Sequence, residues 1–218
     1  MDSALLTADL PLERRLALSY APSRARPATL ALFALDGALG RVVRSTREAM
    51  LGQLRLAWWR EALARPLEQQ PQGEPVLAAL QVFGDRRARL ECLVDGWEAL
   101  LGEAPLPQDH LTQFAAGRGE SCAVLAEVLG AGESAGSARL AGSAWALAEL
   151  APRLSDPHER DCAAALIAQH PWDNIALPRA LRPLKLLHGL ALRSKGQTPL
   201  LDRRRDILAA FRLGLLGV

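Results

Sequence analysis

At 218 residues the chain can bury one core, a single domain over 1–218, without disulfides or a metal. Leu (43) and Ala (39) dominate while Val, Ile and Thr total 16, which excludes a sandwich, a barrel or a doubly wound sheet. Half the residues are apolar, which excludes disorder, and a net charge of +2 makes no electrostatic case for a nucleic-acid partner.

In chain order, Pro11–Tyr20 reads as a short helix and Pro27 opens a second that runs to about Arg44. Ser45 or Thr46 is the expected cap of a third helix reaching Arg65. On it Met50, Leu51, Leu54, Ala57 and Trp58 form one stripe, with Leu56 and Trp59 opposite, so the helix is expected to be sandwiched. Residues 66–75 are a loop and 76–83 a short helix. Over 86–101 the spacing of Leu90, Leu93, Val94, Trp97, Leu100 and Leu101 predicts an amphipathic helix. The stretch 109–129 reads as helix, strained around Gly117-Arg118-Gly119. Helices over 137–153, 157–169, 180–193 and 202–216 complete an all-α chain.

The start of the chain is acidic and broken by Pro11, unlike a signal peptide, and no apolar run reaches a membrane span. Cys92, Cys122 and Cys162 have no CxxC spacing and read as buried thiols in a reducing, cytoplasmic setting. His110, His158, His170 and His188 lie far apart, and no zinc spacing, GxSxG or P-loop ending occurs. Glu91, Asp95 and Glu98 share a helix face, read first as solvated. The basic start and apolar Ile207, Leu208, Phe211, Leu215 and Leu216 of 203–218 fit either a docked helix or a peripheral contact with the inner membrane.

The segment RRLALSYAPSRARPATLALFALDGALGRVVRSTREAMLGQLRLAWWREAL (14–63) resembles the N-terminal helices of the squalene/phytoene synthase family. PVLAAL, LVDGWEALL, GRGESCAVLAEVLG, GSAWALAEL and LPRALRPLKLL follow in family order. The resemblance implies an all-α helical bundle of the isoprenoid (trans-prenyl diphosphate) synthase type, slightly truncated at its C-terminal wall. It also implies a central cavity in which two prenyl diphosphates are joined head to head with Mg²⁺. Phe33, Trp58, Trp59 and Trp97 are the expected lining of that cavity.

That chemistry needs carboxylates to hold metal against the leaving diphosphate. Laid on ALFALDGALGRVVR, the family's first three aspartates fall on Gly40, Arg41 and Arg44, and a gapped register brings in one carboxylate, Asp36. The later NxxRDxxxD motif falls near Leu150–Asp156, where Arg153 matches the arginine and Leu154 replaces an aspartate. The degraded first motif and the retained Trp-Trp-Arg helix resemble the family's non-enzymatic members, assembly factors of mitochondrial respiratory complex I. Three readings follow. The preferred one is a pseudoenzyme without cofactor, acting as an assembly or scaffold factor with a respiratory-complex subunit as partner. The second is a divergent prenyltransferase in which Asp95, Glu98 and Asp156 hold a reduced Mg²⁺ set. The third is a metal-free binder of a prenyl diphosphate or lipid, with Arg41, Arg44 and Arg153 gripping the anion.

Overall fold

The computed structural model describes residues 2–46, 48–71, 73–173, 175–201 and Arg212. The helix expected over 202–216 and the membrane contact expected of 203–218 therefore lie outside the described residues, Arg212 apart. The described elements are α1 (Asp2–Ala8), α2 (Leu12–Ser19), α3 (Arg26–Ser45), α4 (Ala49–Ala64) and α5 (Pro75–Ala79), followed by α6 (Glu91–Glu98), α7 (Gln108–Val128), α8 (Ala135–Leu150), α9 (Pro157–Gln169) and α10 (Arg182–Ser194). Short 3₁₀ segments join several of them, and no strand occurs among the described residues.

α3, α7 and α8 form the centre. α3 is buried almost without interruption from Ala28 to Gly40, because Ala and Leu fill all sides of it. α7 and α8 pack along their length, and α6 lies on the other flank of α7. Glycines set these distances. A Cβ at Gly117 would meet the Cys92 carbonyl oxygen at 2.3 Å, and one at Gly119 would meet Ser143 Oγ at 2.3 Å. The Gly-Arg-Gly stretch is thus uninterrupted helix whose missing side chains admit the neighbouring backbones, a correction to the strain expected there. α10 packs on α8 and α2, and α9 closes a small satellite cluster with Leu111, Cys162 and Ala163.

Three other expectations change. The 86–101 helix is a 3₁₀ segment, Leu80–Leu90, followed by the shorter α6, with a reversal at Gly84 (φ 53°). Thr46 does not cap α4; its hydroxyl donates back to the Val42 carbonyl, closing α3, and Glu48 occupies the cap position of α4. Finally, α4 is not sandwiched. Gly52, Leu56, Trp59, Ala62 and Leu63 face the core, while Met50, Leu51, Leu54 and Trp58 are exposed. No helix among the described residues is long and apolar enough to cross a membrane.

Candidate functional site

Four charged side chains meet at the centre of the bundle, each 6% exposed or less. They are Arg14 of α2, Asp36 of α3, Arg118 of α7 and Glu149 of α8. Arg118 spans both acids: Nε and Nη2 donate to Asp36 Oδ1 and Oδ2 at 3.1 and 3.0 Å, and Nη1 donates to Glu149 Oε2 at 3.1 Å. Arg14 also spans them, with Nη1 2.6 Å from Asp36 Oδ2 and Nη2 3.2 Å from both Glu149 oxygens. Trp97 Nε1 donates to Asp36 Oδ1 at 2.9 Å, and Arg153 Nη1 lies 3.1 Å from Glu149 Oε1. Each of the four carboxylate oxygens therefore has two nitrogen contacts within 3.2 Å. Six of these eight contacts are hydrogen bonds, and the Arg14 Nη1–Asp36 and Arg153 Nη1–Glu149 contacts are ion pairs.

Aromatic rings hold the guanidinium planes. The Arg118 head lies 4.3, 4.7 and 5.5 Å from the ring centroids of Trp145, Phe114 and Trp97, and Arg14 lies 5.0 Å from Trp145. Burial pushes the Glu149 carboxyl up, but Arg14, Arg118 and Arg153 outweigh it and hold the group well below the usual carboxylate range. Burial alone would likewise lower Arg14; Asp36 and Glu149 reverse this and raise it. Glu149 and Arg14 are therefore both charged at neutral pH.

Two cavities border the array and share Arg44, Glu149 and Arg153 as walls. One, of about 370 Å³, is polar, and Arg14, Asp36, Arg41 and Arg44 also line it. The other, of about 270 Å³, is mainly apolar, lined by Val43, Trp97, Leu100, Leu106, Phe114 and Leu150 among others. Arg41 and Arg44, one turn apart at the end of α3, have no carboxylate within ion-pair distance among the described residues. Partial burial lowers the Arg44 guanidinium, and the nearby cations Arg153 and Arg14 add to this against the pull of Glu149 and Asp36. The buried Nε of Arg14 also lacks a hydrogen-bond acceptor. A half-apolar chamber with surplus positive charge at its polar end can take an anion that carries an apolar tail.

The residues singled out from the sequence scatter. Arg41, Arg44, Arg153 and Trp97 converge on these cavities. Asp95 and Glu98 do not: both pair with Arg60 of α4, clamping α6 to α4 on the outside of the bundle. Asp156 caps α9, accepting from the backbone N–H groups of His158 and Glu159, so its carboxylate is already committed. Phe33 lies in the core, edge-on to Trp145 at 5.7 Å, and lines neither cavity. Trp59 fills the core side of α4, and Trp58 faces outward beside it. His188 is a core histidine, its Nε2 3.1 Å from the Asp173 carbonyl oxygen. Burial pushes the Cys92 and Cys122 thiols up to about 12, which removes them as nucleophiles. Among the described residues no group of three or more His, Cys, Asp or Glu is placed to hold a metal ion.

Arg14, Arg118, Glu149 and Trp145 were not singled out from the sequence, although the first three carry the array. Glu149 and Arg118 carry one signal, a charge inside an apolar or glycine-flanked run, as in AWALAEL and AGRGES, whereas Arg14 sits among other charges in LERRL and carries none.

No curated protein and no solved structure matches the chain significantly. The family model for squalene/phytoene synthase matches residues 13–150, the span that holds Arg14, Asp36, Arg118 and Glu149. With that match and an all-α bundle of the isoprenoid synthase type, the chain belongs to the squalene/phytoene synthase family.

Proposed function

We propose that this chain is a non-catalytic member of its family that binds a prenyl lipid by its anionic head, directly on arginines and without a metal. The observation that carries the reading is the closed array at the centre. The family's chemistry requires Mg²⁺ on carboxylates, and the two buried acids of this cavity, Asp36 and Glu149, are already engaged by Arg14, Arg118, Arg153 and Trp97, which leaves Asp9 as its one acid outside the array. A divalent ion entering there would also face Arg14, Arg41, Arg44, Arg118 and Arg153. One unit charge opposes another at ~4 Å by about 4 kcal/mol even at an effective dielectric of 20, and a divalent ion doubles that. The residues present do not fit the metal.

They do fit an anion. Arg41 and Arg44 have no carboxylate at ion-pair distance among the described residues, they outnumber Asp9, the one acid of the polar cavity outside the array, and Arg44 also walls the apolar cavity. The wider proposal, drawn from the resemblance to respiratory assembly factors, is that the chain works as a scaffold for a respiratory-complex subunit, with the lipid as its ligand.

The test is incubation with farnesyl and geranylgeranyl diphosphate, with Mg²⁺ or with EDTA. Product is followed by mass spectrometry and binding by thermal shift. The expected result is no condensed product, and a stabilisation that EDTA leaves unchanged and R41Q/R44Q abolishes. Mg²⁺-dependent product, or a shift that appears only with Mg²⁺, overturns the reading and favours the divergent prenyltransferase.

A further inference from the structure

α4 carries an apolar face that nothing in the described fold covers. Met50 is 72% exposed, Leu54 62%, Leu51 47% and Trp58 38%. Among the described residues eight large hydrophobic side chains are exposed, and half of them lie on this one helix. They stand at i, i+1, i+4 and i+8, a continuous stripe along two turns. The opposite side of the same helix is fixed rigidly: Leu56 and Leu63 are fully buried, Gly52 sits against Leu101, and Arg60 is clamped by Asp95 and Glu98. The stripe is therefore held in place on the outside of the bundle.

Its surroundings select the partner. The N-terminal end of the stripe follows directly on the end of α3, where Arg41 and Arg44 project. Arg55, on the stripe's own helix, lies there too, with Nη1 3.5 Å from Thr46 Oγ1. None of these three arginines has a carboxylate at ion-pair distance among the described residues. Glu61 on the same helix is paired with Arg65, and Glu48 at its N-terminal cap is the other acid of this segment. At the same corner Val43, Arg44 and Leu100 line the apolar cavity. Four apolar side chains on one helix are few for a stable protein interface, which takes roughly 800 Å² per partner. A bilayer needs no complementary shape. Leucines, a methionine and a tryptophan suit its headgroup boundary, and the flanking arginines suit anionic lipid.

We infer that α4 is a membrane-docking element that seats Met50, Leu51, Leu54 and Trp58 in an anionic bilayer and turns the arginine-lined corner toward the headgroups. This stands on the stripe and its flanking charges, and holds whether or not the cavity binds a prenyl diphosphate.

The experiment uses the full chain with vesicles of phosphatidylcholine alone or mixed with phosphatidylglycerol. Co-sedimentation is read together with quenching of tryptophan fluorescence by brominated lipid. The expected result is binding to the mixed vesicles that salt weakens. L51S/L54S should reduce it by about tenfold or more with an unchanged melting temperature, since both side chains are exposed in the free protein. W58F should keep the binding and lose most of the quenching. A parallel variant, F211S/L215S, separates α4 from the C-terminal segment. Three results overturn the inference: no binding by the wild-type chain, binding lost only in F211S/L215S, or a dimer in light scattering that L51S/L54S turns to monomer.

Discussion

Arg118 shows how much one side chain can hold when it is buried between two acids. It bonds Asp36 through two nitrogens and Glu149 through a third, with three aromatic rings around its head. Removing one member of a buried charge array leaves its partners desolvated and unpaired, at a cost of about 3–5 kcal/mol. R118M is expected to lose that much in denaturant unfolding. R118K should recover little, because an ammonium cannot span both carboxylates in this forked geometry. Glu149 makes the same array sensitive to acid. Its folded-state pKa is depressed, so its contribution is fully present above the ordinary carboxylate pKa of about 4.3 and is lost as the pH falls through the folded value. Stability measured against pH should therefore drop below about pH 4.3, and E149Q, already less stable at neutral pH, should show a shallower acid limb.

Among the elements, α7 depends most on what its sequence lacks. G119A places a methyl group against Ser143 Oγ and the Arg139 carbonyl oxygen, so α7 and α8 must part. The expected cost is about 1–3 kcal/mol, read as a lower denaturation midpoint with the far-ultraviolet spectrum retained. α7 also marks where sequence reading succeeds and fails. Helix positions were legible because Ala and Leu recur at helical spacing between Pro and Gly breaks. The sequence pattern gives no signal for α1, and it draws α6 too long, since the residues up to Leu90 form 3₁₀ turns. The outward face of α4 was misread because periodicity shows that a face is apolar and not what lies against it. The central array was illegible for a different reason. Its bonds join residues 31, 82 and 135 positions apart, so no local pattern links them. Asp95 and Glu98 stand out because they share a helix face, and Asp156 because it falls beside the family's later motif. The fold spends them on a helix clamp and a cap.

For the molecule as a whole, the ionic core and the exposed stripe lie on different parts of the bundle and answer to different perturbations. Acid and R118M act on the first, and vesicle lipid and L51S/L54S on the second. One packing detail bears on the proposed metal-free reading. By resemblance, Gly40 occupies the place of the first metal aspartate, and that place is filled. A Cβ there would lie 2.9 Å from the indole of Trp97 and 2.8 Å from Arg44 Nη1, and the same indole donates to Asp36. An aspartate at 40 would have to displace Trp97, which would take a donor from Asp36. Acids at 41 and 44 alone would add charge at the rim while Asp36 and Glu149 stayed engaged. R41D/R44D is accordingly expected to gain no measurable Mg²⁺ affinity by calorimetry, and G40D/R41D/R44D to unfold at lower denaturant. On the proposed metal-free reading, a metal site would thus require rim, indole and inner arginines to change together, because each single change leaves the others set against a cation.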